Sequence, residues 1–246
     1  MKASRWQVFA ALGLIGASCV LYAIHYVVFD DAHHILLWSF TNLAFLPISV
    51  LFVSLIIGRL LAHRDRRAKM EKLNMVIGAF FSEVGNDFLR MLAGWDADAT
   101  TLQQQFSAIS TWKPQDFAEA GKHMSRSPRL IDHSAMLLEE AHSFLDEKRG
   151  FLLRLLENPN LLEHEAFTAL LRAVLHVAEE LGYRNDLSAL PESDRSHLAI
   201  DFRRAYVLLL QQWVFYMAFI RKAYPYLFSL ASRTNPFDPA ASAVVE

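Results

Sequence analysis

The sequence predicts an all-α protein, with an N-terminal transmembrane helical hairpin followed by a cytoplasmic helical bundle. Two observations predict this class: two long uncharged apolar runs near the N-terminus, and helical periodicity with almost no strand signal after residue 62. The chain has 246 residues, 53% of them apolar, yet only five formal charges lie before residue 63. We therefore divide it into a hairpin over residues 1–62 and a helical domain over residues 63–246.

The two apolar runs are Trp6–Phe29 and Ile35–Gly58, each of 24 residues without a formal charge. About 20 apolar residues in a helix cross a bilayer core. The first run is longer than the apolar region of a signal peptide, which favours a retained helix. Five residues, Asp30–His34, separate the runs, and so few residues predict a tight hairpin.

Basic residues predict the orientation of this hairpin. Lys2 and Arg5 flank the first span, and the loop between the spans has no Lys or Arg. The second span is followed by Arg59, Arg64, Arg66, Arg67, Lys69 and Lys72. Since basic residues are retained on the cytoplasmic side, both termini are expected in the cytoplasm, with the protein in the cell inner (plasma) membrane.

Helical periodicity and breaker residues define the elements of the second part. Residues 94–128 read as a loop-rich connection with short helices, and the tail from Asn235 reads as frayed. The predicted helices, in chain order, are a juxtamembrane helix over about 63–93, then 131–156, 162–181 and 194–224.

Within the last helix, Ala205–Ile220 is uncharged but too short to span a bilayer. A buried core helix is favoured over an interfacial one. The aromatic residues of this region are likewise predicted to be core rather than a cofactor site: Tyr206, Trp213, Phe215, Tyr216, Phe219, Tyr224, Tyr226 and Phe228.

A polar stripe lies within the second span. Ser39, Asn42 and Ser49 share one helix face with Leu46 and Val53. Polar groups in hydrocarbon need partners, so this face is expected to meet protein or water. It predicts either a pore lining in a ring of identical subunits or ordinary helix packing through hydrogen bonds.

The loop between the spans carries Asp30, Asp31, His33 and His34. Several copies of this loop could concentrate inorganic cations at a pore mouth. Alternatively, the loop is an ordinary polar hairpin. His25, inside the first span, is interpreted as a neutral packing histidine.

The helical domain offers only weak candidates for a metal site. Di-iron carboxylate bundles need two Glu-x-x-His steps, and the chain has one, from Glu139 to His142; His164 and His176 lie on later helices. We therefore predict no metal and no cofactor. Phosphate-binding loops, nucleophile elbows and HExxH sequences are missing as well, so we expect no enzyme. The net charge of −2 argues against a nucleic-acid partner.

Three stretches, Lys72–Gly85, Leu155–Glu165 and Tyr224–Leu230 with the following Asn235–Phe237, together resemble a family of uncharacterised prokaryotic membrane proteins. That family has an N-terminal two-helix hairpin and a cytoplasmic helical domain, and the resemblance covers nearly the whole chain. It implies no activity. It also implies acidic residues in relatives where this chain has Asn42 and Ser49, so a cation-attracting path is implied for relatives more strongly than for this chain.

Two functions follow as expectations. The first is a homo-oligomeric membrane protein forming an ion channel or pore lined by the second span, with the bilayer, its own copies and inorganic cations as partners. The second is a membrane-anchored sensor or scaffold whose cytoplasmic bundle binds a ligand or a partner protein.

Overall fold

A computed structural model describes residues 5–29, 31–126, 129–162 and 164–244. The chain divides into two compact units, Met1–Arg66 and Arg67–Glu246. The described residues are almost entirely helical and form no strand, apart from one isolated bridge between Asp96 and Ile131. The all-α prediction is therefore confirmed.

The first unit contains helix α1, Arg5–Phe29, and the beginning of helix α2, Ala32–Phe80. Within α2, Ala32–Arg64 is long and apolar enough to cross a membrane, and its most apolar window is wholly unburied. Leu12–Val28 of α1 is a shorter apolar helix. Both stretches expose large apolar side chains such as Leu14, Val27 and Phe40.

The second unit starts in the last turns of α2, which pass into a π-helical segment, Phe81–Gly85. The helix predicted over about 63–93 thus contains a π turn and ends at Gly94. The remaining helices are α3, Asn86–Gly94; α4, Ala99–Ser107; α5, Pro114–Arg126; α6, Leu138–Leu156; α7, Pro159–Leu162; α8, Glu165–Gly182; α9, Glu192–Ala223; and α10, Pro225–Arg233.

Helix α9 is the centre of this unit, because α3, α5, α8 and α10 all pack against it. The uncharged stretch Ala205–Ile220 supplies much of the core, including Tyr206, Trp213 and Met217. The prediction of a buried core helix is confirmed. Edge-to-face aromatic pairs connect α9 to its neighbours. The ring centroids of Trp95 and Phe202, for example, are 5.0 Å apart.

The π-helical segment depends on a glycine. A Cβ at Gly85 would lie 2.5 Å from Phe81 Cδ1 and 2.9 Å from Phe80 Cε1. Both phenylalanines are fully buried, so they have little room to move. Gly85 therefore permits the wide turn that accommodates two consecutive core phenylalanines.

Two local predictions are wrong. Helix α6 begins at Leu138 rather than at Ile131, because the Asp132 carboxylate accepts hydrogen bonds from the backbone N–H and hydroxyl of Ser134 and holds a turn. The tail from Asn235 is not frayed at its start. Asn235 and Phe237 are buried, and Asn235 bonds to the core.

Candidate functional site

A groove of about 510 Å³ opens on the second unit. Three parts of the chain form its walls: the end of α2 with the π-helical segment, the end of α9, and α10. We call it the Asn74 groove. Its lining residues are Asn74, Met75, Gly78, Ala79, Phe81, Ser82, Asn86, Tyr216, Phe219, Ile220, Tyr224, Tyr226, Leu227, Leu230, Ala231 and Thr234.

Asn74 is the most unusual residue of this lining. Only 3% of its surface is exposed, and Oδ1 has no hydrogen-bond partner among the described residues. A buried, unpaired carbonyl oxygen costs about 1–3 kcal/mol of folding free energy. Because the residue also lines the groove, a bound molecule could supply the missing donor.

Tyr216 forms part of the opposite wall. Its ring stacks on Phe81, with centroids 5.2 Å apart and planes inclined by 17°. Burial raises the pKa of the Tyr216 hydroxyl above its usual value of 10.0, so the phenol stays neutral at physiological pH. Gly78 leaves space for this ring, since a Cβ there would lie 3.2 Å from Tyr216 Oη.

The described residues that line the groove carry no formal charge. Its lining contains amides, hydroxyls, aromatic rings and aliphatic side chains, but no Asp, Glu, Lys, Arg or His. Ligand sites of a few hundred Å³ with mostly apolar walls and a few polar groups are typical of small-molecule binding. The Asn74 groove has that composition and size.

Local sequence explains how the walls are placed. Tyr224 ends α9 with an extended φ of −140°, and Pro225 begins α10 at its first turn. The residue before a proline is pushed out of the helical region, so the chain breaks here and α10 packs back on α9. On the facing wall, the π turn lies between Phe81 and Gly85; such turns are frequent at functional sites.

The residues of the predicted polar stripe have different surroundings in the structure. Ser49 Oγ donates to the carbonyl of Phe45 at 3.3 Å and so finds a partner within its own helix. Asn42 lines a cleft of about 560 Å³ in the first unit. Ser39 is half-buried, whereas Leu46 and Val53 are exposed.

Three of the predicted pore-mouth residues, Asp31, His33 and His34, belong to the described part of the first unit. Asp30 lies outside the described residues. The Asp31 carboxylate accepts from the backbone N–H of His34 at 2.9 Å. The His34 ring stacks with His25 at 6.1 Å and lies 6.2 Å from Trp38. His33 is exposed. His25 and His34 both line the cleft with Asn42.

The weak metal candidates are not brought together. Glu139 is exposed and His142 half-buried on α6. His164 caps α8, its Nδ1 accepting from the backbone N–H of Phe167 at 3.1 Å. His176 faces a different residue, Asp201. Within the described part of the chain, no group of three or more His, Cys, Asp or Glu side chains is arranged to hold a metal ion.

Asp201 is a buried carboxylate on α9 with a charged surround. Its side chain is 4% exposed, and Oδ1 accepts from Arg204 Nη1 at 3.0 Å. His176 Nε2 and His197 Nε2 each lie 3.5 Å from Oδ2. This cluster joins α8 to α9 and is an ion-pair network, since a guanidinium already neutralises the carboxylate.

Sequence reasoning missed the Asn74 groove. Leu73, Ile77 and Phe80 recur at helical spacing and are buried, and Asn74 lies beside them on the same helix face. That polar residue in an apolar row was the available signal. The aromatic residues of α9 and α10 were predicted to be core, and Tyr206, Trp213 and Phe228 are buried. Tyr216, Phe219, Tyr224 and Tyr226 instead border the groove, and the core prediction is wrong for Phe215, which is exposed.

Fold and site together define an all-helical protein, with an apolar helical unit followed by a helical domain that carries an uncharged groove. The chain belongs to the MJ1433 family. Residues 2–61 match the model described as "MJ1433, N-terminal helical domain", and residues 69–233 match "Uncharacterized protein MJ1433, C-terminal helical domain". The predicted membership of an uncharacterised family is thereby confirmed.

A curated relative, "Uncharacterized protein MJ1433" of Methanocaldococcus jannaschii, is 41% identical over 238 residues, which cover 97% of this chain and 96% of the relative. No solved structure matches the chain. All residues of the groove except Thr234 fall within the matched C-terminal domain.

Proposed function

We propose that this protein is a membrane-anchored sensor, whose helical domain binds a small molecule in the Asn74 groove. The single observation that carries the proposal is that Asn74, a residue of the groove lining, has a buried carboxamide oxygen without a partner among the described residues. Proteins rarely leave such a group unpaired, and each instance calls for an explanation. A ligand that donates to this oxygen provides one.

The anchor in this proposal is the hairpin of α1 and the first part of α2. Support comes from the length and composition of Ala32–Arg64 and from its unburied apolar surface. A patch of this size on a soluble monomer would favour aggregation, whereas lipid covers it at no cost. The basic residues that follow the second span favour a cytoplasmic position for the helical domain.

Cysteine labelling tests the anchor. Cys19 is the only cysteine, so Cys19→Ser gives a background without thiols. In that background we add His33→Cys, between the predicted spans, or Ser242→Cys, near the C-terminus. A membrane-impermeant maleimide applied to intact cells should label the first variant and label the second only after lysis. Labelling of both, or of neither, in intact cells would contradict the proposed topology.

Blocking the groove tests the sensor. Ala79 lines the groove and is exposed, so Ala79→Trp should fill it without a buried clash. Ala118→Trp, on the exposed face of α5 and outside the groove lining, is the matched control. Extracts of the purified full chain are compared by mass spectrometry. A small apolar molecule should accompany the wild type and the control but be depleted in Ala79→Trp; equal extracts from all three would contradict the proposal.

A pore remains a second candidate, because the Asn42 carboxamide is exposed within an otherwise apolar helix. In a bilayer, that side chain needs a polar partner, which copies of the same chain could supply. The candidate requires a homo-oligomer that conducts inorganic cations. Planar-bilayer conductance, compared between wild type and Asn42→Leu, tests it; no conductance from either would exclude it.

A further inference from the structure

We infer that the Asn74 groove selects an uncharged amphiphile: an apolar molecule bearing one hydroxyl or amide N–H, which donates to Asn74 Oδ1. The inference rests on the proposed function, in that the groove must be a ligand site at all. It adds the chemical class of the ligand and the residue that recognises it.

The charge of the ligand follows from the lining. Among the described residues, no acidic, basic or histidine side chain lines the groove. A carboxylate or an ammonium group entering it would lose hydration and find no opposite charge, which disfavours its binding. An uncharged molecule avoids that cost, so fatty-acid anions and amines are disfavoured relative to the neutral compounds of the same length.

The polar group of the ligand follows from Asn74. A carboxamide oxygen can only accept hydrogen bonds, so the molecule that pairs with it must donate. Ethers, ketones and esters accept but do not donate, and they would leave Oδ1 unpaired. A hydroxyl or an amide N–H is the uncharged donor that fits.

The remainder of the ligand follows from the apolar wall. Phe219 and Ile220 of α9 and Leu227 and Leu230 of α10 line the groove beside the tyrosine rings. Each methylene group that a ligand buries in such surroundings strengthens its binding. An aliphatic or isoprenoid alcohol has this combination of one donor and an apolar body.

Competition for photolabelling tests the inference. The full chain is placed in lipid nanodiscs and labelled with octanol carrying an aliphatic diazirine, and the yield on groove peptides is measured. The competitors are 1-octanol, 1-methoxyoctane, which lacks the donor, and octanoate, which is charged near neutral pH. Competition is expressed against the free aqueous concentration of each compound.

For the wild type, 1-octanol should compete at about fivefold or more lower concentration than either analogue, as expected for one net hydrogen bond. Asn74→Leu should remove the difference between 1-octanol and 1-methoxyoctane. Asn185→Leu, at an exposed position outside the groove lining, should keep it. Unchanged competition by 1-methoxyoctane shows that each variant retains the groove.

Two results overturn the inference, and they are distinguishable. If all three compounds compete equally in the wild type, the groove binds ligands but does not select a neutral donor, and the proposed function survives. If none competes and groove peptides are not labelled, the inference and the proposed function fail together.

Discussion

The side-chain amide of Asn235 donates a 2.8 Å hydrogen bond to the backbone carbonyl of Phe106, 129 residues earlier in the chain. Asn235 Oδ1 in turn accepts from the backbone N–H of Phe237 at 3.0 Å. Asn235 is fully buried, so neither bond is exchanged with water. The preceding residue, Thr234, lines the Asn74 groove. The two bonds of Asn235 therefore also hold the end of the groove wall that α10 forms.

Replacing Asn235 should therefore destabilise the helical domain. Asn235→Ala removes both bonds, so the Phe237 N–H loses its acceptor and the Phe106 carbonyl keeps only the Ala108 backbone N–H, which should cost about 2–3 kcal/mol. Thermal unfolding of the full chain, followed by circular dichroism, measures the change. Ser232→Ala is the control, because its hydroxyl donates to the Ser229 carbonyl within α10. Equal unfolding temperatures for the two variants would show that the tail is not anchored through Asn235.

Asn74→Leu should have the opposite effect on stability. The variant replaces an unpaired buried oxygen with an apolar side chain of similar size, which should raise the free energy of unfolding by about 1 kcal/mol in ligand-free protein. It should also weaken ligand binding. Asn185→Leu, at an exposed position outside the groove lining, should change neither quantity. A marked loss of stability in Asn74→Leu would mean that Asn74 has a structural role.

The π-helical segment should tolerate no side chain at position 85. Gly85→Ala would place a Cβ against Phe81 and Phe80, and overpacking of this kind costs about 1–3 kcal/mol. Gly150→Ala, on an exposed face of α6, should instead stabilise by about 1 kcal/mol through helix propensity. Chemical denaturation of both variants measures these changes. A stabilised Gly85→Ala would refute the assigned role of the glycine.

Acid should weaken the connection between α8 and α9. Arg184 forms two hydrogen bonds with the Asp194 carboxylate, at 2.7 and 2.8 Å, and a third with Glu180 at 2.8 Å. Hydrogen bonding to Arg184 holds the pKa of Asp194 below 3.8 and that of Glu180 below 4.5. The resulting stability is therefore complete above these unfolded-state values and is lost as the pH falls through the lower folded-state values.

The measurement is the unfolding temperature as a function of pH, for the wild type and for Arg184→Met. The variant should lose about 2 kcal/mol near neutral pH, because two partly buried carboxylates lose their partner. At acidic pH, where the carboxylates are protonated, the difference should shrink. A constant difference across the range would show that the arginine contributes through packing alone.

The helical class could be predicted because periodicity is a local property. The uncharged stretch Ala205–Ile220 was predicted to be a buried core helix, and the structure buries much of it. The groove could not be predicted in the same way. Whether Tyr216 faces core or solvent depends on where α10 lies, and that is decided by the break at Tyr224 and Pro225. The amino-acid composition of α9 and α10 does not determine how the two helices pack on each other.

Errors in the local predictions have similar causes. Small and polar residues around Asn235 are typical of a frayed terminus, but a single buried amide bond to a distant carbonyl orders them. The positions of Gly78 and Gly85 in the sequence likewise do not show which side chains they face: Gly78 makes room for Tyr216 and Gly85 for Phe81.

The most direct test of the account is to map where the diazirine-bearing octanol attaches to the full chain in nanodiscs. The account predicts labels on peptides covering residues 74–86 and 216–234, reduced by Ala79→Trp and by excess 1-octanol. Peptides from the apolar stretch Ala32–Arg64 will also be labelled through the lipid, but that labelling should not respond to Ala79→Trp. Labels confined to the apolar stretch, with none on the groove peptides, would contradict the account.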